Sequence, residues 1–189
     1  MRSHLIIPVK GISAGKSRLA AVLTDDERMS LVLRLAERTL EIAADIPDVE
    51  IILVTRDADA LPLADGRGIT ALRQSGNGLN AALSEVAARL AGGRTLILPA
   101  DLPALAAADI EAHLRSGGIG ISPDSAGSGT NFLSLPEPAS IPFCFGYASF
   151  AKHAEEAERA GLPLHVIDRP GISFDLDTPD DLIRLRGWP

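Results

Sequence analysis

The sequence predicts a single α/β domain with a mostly parallel sheet covered by helices on both faces. Three observations carry this. Apolar runs at residues 5–9, 51–55 and 95–98 do not alternate with polar residues, as strands buried on both sides should not. Segments with helical spacing separate them, the order that parallel strands and crossover helices require. The length, 189 residues, fits one domain spanning 1–189.

The elements follow in order. Residues 5–9 form the first strand, closed by Lys10 and Gly11. Thr24 opens a helix with a capping box, because Glu27 lies three residues on. Met29, Val32, Leu33, Ala36, Leu40 and Ala43 recur along it at helical spacing until Pro47 stops it. Residues 51–55 are a second strand and 70–72 a short third; 79–90 is an Ala-rich helix. The strand at 95–98 runs into Pro99-Ala100-Asp101-Leu102-Pro103. A helix at 107–114, strands at 119–122 and 131–135, a helix at 150–160, and strands at 164–167 and 173–176 complete the pattern. Pro179 opens a last helix, a position its fixed φ suits. Residues 123–146, rich in Gly, Pro and Ser, read as a functional loop or a small excursion rather than a linker. In open sheets of this kind ligands bind beyond the carboxyl ends of the strands. That ranks three stretches: 10–18, 99–103 and 173–177.

Composition narrows the function. At 46% hydrophobic and 23% charged, the chain reads as an ordinary soluble domain. A formal charge of −7 argues against general binding to nucleic acid or an anionic membrane. No apolar run is long enough to span a bilayer, and the start lacks a signal-peptide core, so a cytoplasmic location is expected. The single cysteine, Cys144, precludes an internal disulfide.

The chemistry lies in the loops. Lys10-Gly11-Ile12-Ser13-Ala14-Gly15-Lys16-Ser17-Arg18 follows the first strand. It is no P-loop, because Lys10 stands where the first glycine of that motif belongs. Its two glycines and three cations still suit a polyphosphate; the alternative is a solvated basic loop. If residues 173–177 are extended, Asp175 and Asp177 share a face. Paired carboxylates repel unless a cation sits between them, and with phosphate oxygens they suit Mg²⁺. Helix capping by Asp177 or Thr178 explains Asp177-Thr178-Pro179 equally well, but not Asp175. Asp101, between prolines at a strand end, is a second metal-type position or a turn aspartate. In Gln74-Ser75-Gly76-Asn77-Gly78-Leu79-Asn80, Gln74 or Asn80 suits a base edge, while Asn77 or Asn80 suits an N-cap. Gly146 and Ser149 stand near a helix start that favours an anion, with His153 one turn along. His4, His113 and His165 have no metal-ligand spacing.

The ordered set is Pro8-Val9-Lys10, Gly15-Lys16-Ser17-Arg18-Leu19, Gly78-Leu79-Asn80, Ala100-Asp101-Leu102-Pro103, Gly129-Thr130-Asn131, Phe145-Gly146 with Ser149-Phe150 and His153, and Asp175-Leu176-Asp177-Thr178-Pro179. Together it resembles the guanylyltransferases of deazaflavin coenzyme (F-420) biosynthesis, which use 2-phospho-L-lactate, phosphoenolpyruvate or 3-phospho-D-glycerate. Ala100 departs from the glycine more usual before the aspartate. The resemblance implies a glycosyltransferase-A-like nucleotidyltransferase domain that uses GTP and Mg²⁺ and releases diphosphate. It implies metal binding by Asp101, Asp175 and Asp177, and phospho-acid binding by Thr130, Gly146 and Ser149. Lys10, Gly11, Lys16, Arg18, Gly78 and Asn80 are expected to bind the nucleotide, and Lys16, Arg18 and Asp101 to be catalytic. GTP and the small phospho-acid are the expected partners, with a homodimer left open. The rival readings are a nucleotidyltransferase for another phosphorylated acceptor, such as a molybdopterin or sugar phosphate, and a non-catalytic nucleotide-binding module.

Overall fold

The structure is a computed structural model and describes residues 2–10, 12, 15–74 and 78–186. Seven strands form one sheet in the order β3-β2-β1-β4-β6-β5-β7. They are β1 Ser3–Val9, β2 Val49–Thr55, β3 Thr70–Arg73, β4 Thr95–Ile97, β5 Ile119–Pro123, β6 Thr130–Leu135 and β7 Leu164–Val166. β1 pairs parallel with β2 and β4, β2 with β3, and β5 with β7; β6 runs antiparallel to both its neighbours. The helices are α1 Asp25–Ala44, α2 Leu79–Ala87, α3 Ala107–Leu114, α4 Ser149–Arg159, the single turn α5 Pro170–Ser173, and α6 Pro179–Arg186. Two 3-10 segments, Ser17–Ala21 and Ala58–Ala64, have no counterpart in the periodicity.

Alternation along the strands divides the core between the two faces. Leu5, Ile7 and Val9 of β1 pack with Val32, Ala36 and Leu40 of α1 and Ile110 of α3. Ile6, Ile52, Ile97 and Leu133 pack with Leu83 and Val86 of α2 and Ala157 of α4. Each large side chain buried here contributes roughly 1.5–3 kcal/mol. The capping box of α1 forms as predicted: Glu27 N–H donates to Thr24 Oγ1 at 3.3 Å and Thr24 N–H to Glu27 Oε2 at 2.8 Å. Among the described residues no helix is long and apolar enough to cross a membrane.

One predicted strand is corrected. Residues 174–177 are extended but pair with no strand. Alternating burial holds them instead: Phe174 and Leu176 enter a small cluster with Leu19, Leu31 and Leu35, and Leu176 N–H donates to Asp101 O at 3.1 Å. The consequence for the acids is unchanged, because Asp175 and Asp177 still face away from that cluster into one cleft.

Candidate active site

The chain order reverses between β1 and β4, which are neighbours in space. A crevice opens at such a switch point, beyond the carboxyl ends of the strands. Here it is a cleft of about 290 Å³. Lys10, Gly15 and Lys16 line it after β1, Pro99, Ala100 and Asp101 after β4, and Asp175 and Asp177 from the extended segment. Val32, Leu35 and Leu79 give it apolar walls. The reversed strand β6 adds Asn131 from its beginning, because Leu133 pairs with Ile97 and so places residue 131 at the level of the loop after β4.

Lys16 is the centre of the charge arrangement. Its ammonium donates to Asp101 Oδ2 at 2.8 Å and to Asp177 Oδ1 at 2.7 Å, with the side chain only 9% exposed. Burial works to lower its pKa, but the two carboxylates outweigh that and hold it above the ordinary lysine value. The backbone of Lys16 is left-handed, with φ 55° and ψ 39°. That conformation costs a non-glycine residue roughly 1–2 kcal/mol, and here it directs the side chain into the cleft. The 3-10 turn that follows buries Leu19 and leaves Arg18 exposed, outside the cleft wall. The turn sends Lys16 inward and leaves Arg18 on the exposed side of the loop. Lys10 is exposed and lines the cleft, whereas Gly11 lies outside the described residues. The loop is anchored from below, where Ile12 N–H donates to Asp57 Oδ2 at 3.0 Å.

The capping alternative for Asp177 is settled by α6 itself. Thr178 is the cap: Asp181 N–H donates to Thr178 Oγ1 at 3.3 Å, and Asp181 Oδ2 accepts from Thr178 N–H at 2.7 Å. The Asp177 carboxylate is thus free to face Lys16. Asp175 is held differently. Its pKa is raised, first by burial and then by the charge of Asp101, with Asp177 adding to it; hydrogen bonds from its own amide and from Asn131 pull the other way. Among the described residues no three His, Cys, Asp or Glu side chains converge on a preformed metal cage. Mg²⁺ commonly takes one or two carboxylates and completes its shell with water and substrate phosphates. Three acids in one field, two of them bridged by an ammonium as stand-in cation, fit that use.

Beside this cleft lie the predicted acceptor residues. β5 and β6 slip register between Ser122/Phe132 and Pro123/Thr130, so Asn131 is an extra, bulged residue. Bulges re-aim side chains. Asn131 points with Phe132 toward the α1 and α3 face, where it donates to Ile172 O at 2.9 Å. Thr130 turns to the opposite face and meets His153 of α4, Oγ1 to Nδ1 at 3.0 Å. The N-terminus of α4 abuts the loop that leads into this strand, Phe150 N–H donating to Ser128 O at 3.2 Å, while Ser149 N–H donates to Gly146 O at 3.2 Å in the turn that opens the helix. Thr130, Gly146 and Ser149 therefore gather around one helix start. Gly146 has φ +122° and open space where a side chain would lie. Gly78, with φ 92°, precedes α2 as its cap residue. Asn80 clips α2 to this region: its Nδ2 donates to Phe145 O at 3.0 Å and its Oδ1 accepts from Phe145 N–H at 2.9 Å. Asn77, the other suggested cap, lies outside the described residues.

Asn131 and Asp57 were not foreseen as parts of the site. Asn131 had a signal, its place in Gly129-Thr130-Asn131, but only the bulge reveals which way it points. Asp57 had none, because its partner lies 45 residues away.

Solved structures resemble this fold at low identity. A nucleotidyl transferase from Methanothermobacter matches with a TM-score of 0.66 and 16% identity, covering 98% of this chain and 96% of that one. A cytidylyltransferase from Leptospira borgpetersenii matches with a TM-score of 0.62 and 13% identity, covering 96% and 84%. Fold, site and relatives together define an enzyme of the nucleotidyltransferase type. A phosphoenolpyruvate guanylyltransferase of Rubrobacter xylanophilus is 42% identical, over 98% of this chain and 94% of its own. A 2-phospho-L-lactate guanylyltransferase of Methanocaldococcus jannaschii is 31% identical, over 96% and 81%. The family model described as "Guanylyl transferase CofC like" matches residues 3–186, and the chain belongs to that family.

Proposed function

We propose that this enzyme transfers GMP from GTP to the phosphate of a three-carbon phospho-acid in deazaflavin coenzyme biosynthesis, releasing diphosphate. The observation that carries the reading is the Lys16 ammonium held between Asp101 and Asp177 at the switch-point cleft, with Asp175 beside them. The acceptor is phosphoenolpyruvate, 2-phospho-L-lactate or 3-phospho-D-glycerate. Two relatives at 42% and 41% identity are named for phosphoenolpyruvate, which puts that acid first in the panel. Charged substrates of this kind suit a cytoplasmic enzyme.

In this reading an acceptor phosphate oxygen attacks the α-phosphorus of GTP. A new P–O bond forms, the bond to the β-phosphate's bridging oxygen breaks, and diphosphate leaves with the electron pair. The nucleophile is already ionised near neutral pH, so the protein needs no general base. Its work is positioning and charge neutralisation. Asp101, Asp175 and Asp177 would hold Mg²⁺, which when bound neutralises phosphate charge. Lys16 and Lys10 hold the phosphates of the nucleotide. The Gly78–Asn80 segment at the start of α2 meets the guanosine. Thr130, Gly146 and Ser149 take the phospho-acid.

The test is diphosphate release with GTP or ATP against each of the three acids. Release with GTP and one acid is expected. Silence with all three acids removes the reading.

A further inference from the structure

His153 is fully buried on α4, one turn past Ser149. Its Nε2 lies 2.9 Å from the backbone nitrogen of Cys144. A backbone N–H can only donate, so Nε2 must be the bare nitrogen of a neutral ring. The ring hydrogen is then on Nδ1, which faces Thr130 Oγ1 at 3.0 Å. A histidine's tautomer is set by the bond its other nitrogen makes, and here a backbone amide sets it. Thr130 Oγ1 therefore accepts from His153, and the hydroxyl's own hydrogen remains to be donated elsewhere. No second hydrogen bond of this hydroxyl occurs among the described residues.

We propose that His153 is a positioning residue for the phosphorylated acceptor: it fixes the Thr130 hydroxyl as a donor toward the acceptor's anionic group. The inference rests on the acceptor reading given above. Its geometry is specific to this histidine. His113 is equally buried, but its Nε2 and Nδ1 meet the hydroxyls of Ser122 and Ser134 at 2.8 and 3.2 Å. There Ser122 Oγ donates to Ile167 O, so its oxygen accepts from His113 Nε2–H and its own hydrogen is spent within the fold. Around His153 the ring is held in place by the edge of Phe145, 4.9 Å between centroids at 71°. The Asn80 clip holds Phe145 from the other side. Burial disfavours the imidazolium, which would lose the bond from Cys144.

The experiment uses the full chain and steady-state diphosphate release, with KM read separately for acceptor and for GTP. His153→Phe keeps the ring's bulk and removes both hydrogen bonds. It should raise the acceptor KM about tenfold or more, the scale of one hydrogen bond to a charged group, and leave the GTP KM within about twofold. Thr130→Val should match His153→Phe. The double variant should be no worse than Thr130→Val alone, since His153 acts through that hydroxyl. Additive losses, or an equal rise in both KM values, overturn the proposal. A readout on the wild type needs no variant to fold: ¹⁵N-histidine NMR should show His153 protonated on Nδ1 and bare on Nε2. A proton on Nε2 overturns it. Turnover with a phospho-acid but an unchanged acceptor KM in His153→Phe removes this inference and leaves the function standing. No turnover of the wild type with any phospho-acid removes both.

Discussion

Moderate acid should destabilise this domain through two histidines that its core refuses to charge. His113 and His153 are fully buried. Burial, with Arg94 nearby, depresses His113 to about 3. Burial depresses His153 to about 4, with Glu156 pulling weakly the other way. Both have an ordinary value of 6.5 when unfolded. Between 6.5 and about 4 the unfolded chain therefore binds two protons that the native state does not. Stability is fully present above 6.5 and falls with pH below it, at about 1.4 kcal/mol per pH unit for each histidine. At about pH 5 the two together cost roughly 4 kcal/mol, a large share of the 5–15 kcal/mol typical of a domain. Asp175 opposes this, because its raised pKa relieves a native-state penalty as pH falls. The assay is urea unfolding followed by circular dichroism at several pH values from about 7 to 5. His113→Gln keeps a hydrogen-bonding group and removes one titrating site. It should cut the slope from about 2.7 to about 1.4 kcal/mol per pH unit, whatever it costs near neutrality. An unchanged slope in that variant would refute the reasoning.

Three further expectations concern the site and the frame that holds it. Asp175→Asn should lower turnover about a hundredfold or more, yet leave thermal stability unchanged or slightly higher, because the fold already disfavours the Asp175 charge; near-normal diphosphate release in this variant contradicts a metal-binding role. Lys16→Gln should bind Mg²⁺ without nucleotide about tenfold more tightly, since an ammonium no longer competes for Asp101 and Asp177. Calorimetric titration reads this, and equal or weaker affinity sinks it. Gly93→Ala should destabilise by about 3 kcal/mol or more, because Gly93 has φ +97° and a Cβ there would lie 2.2 Å from the backbone oxygen of Arg2. A loss below about 1 kcal/mol in urea unfolding would show that this close approach relaxes freely.

The parts legible in the sequence were those set by short-range physics. Unalternating runs placed the buried strands β1, β2 and β4, and Thr24 with Glu27 placed the start of α1. Asp101 and Lys16 were readable because strand ends in such sheets point at one crevice, and Asp175 with Asp177 because alternate residues of an extended chain share a face. What stayed hidden depends on distant partners or local backbone geometry. The unpaired state of residues 174–177 follows from Phe174 and Leu176 packing against Leu19, Leu31 and Leu35 instead of joining the sheet. The outward turn of Arg18 follows from the left-handed backbone of Lys16. The pairing of Asn131 with Phe132 on one face follows from a register slip against β5 that no periodicity announces.

That slip has a consequence for the distance between the two substrates. In the proposed function Asn131 lines the cleft assigned to the nucleotide, and Thr130, on the opposite face, meets the acceptor. The reactants are thus gauged by neighbouring residues whose Cα atoms stand about 3.8 Å apart across one rigid peptide. A single planar amide is the stiffest ruler a polypeptide owns. Removing one residue at this point would restore the ladder and swing one of the two side chains to the wrong face of the sheet. An insertion in the loop at 136–142 only lengthens that loop; here, in the proposed function, it would miscalibrate the reaction.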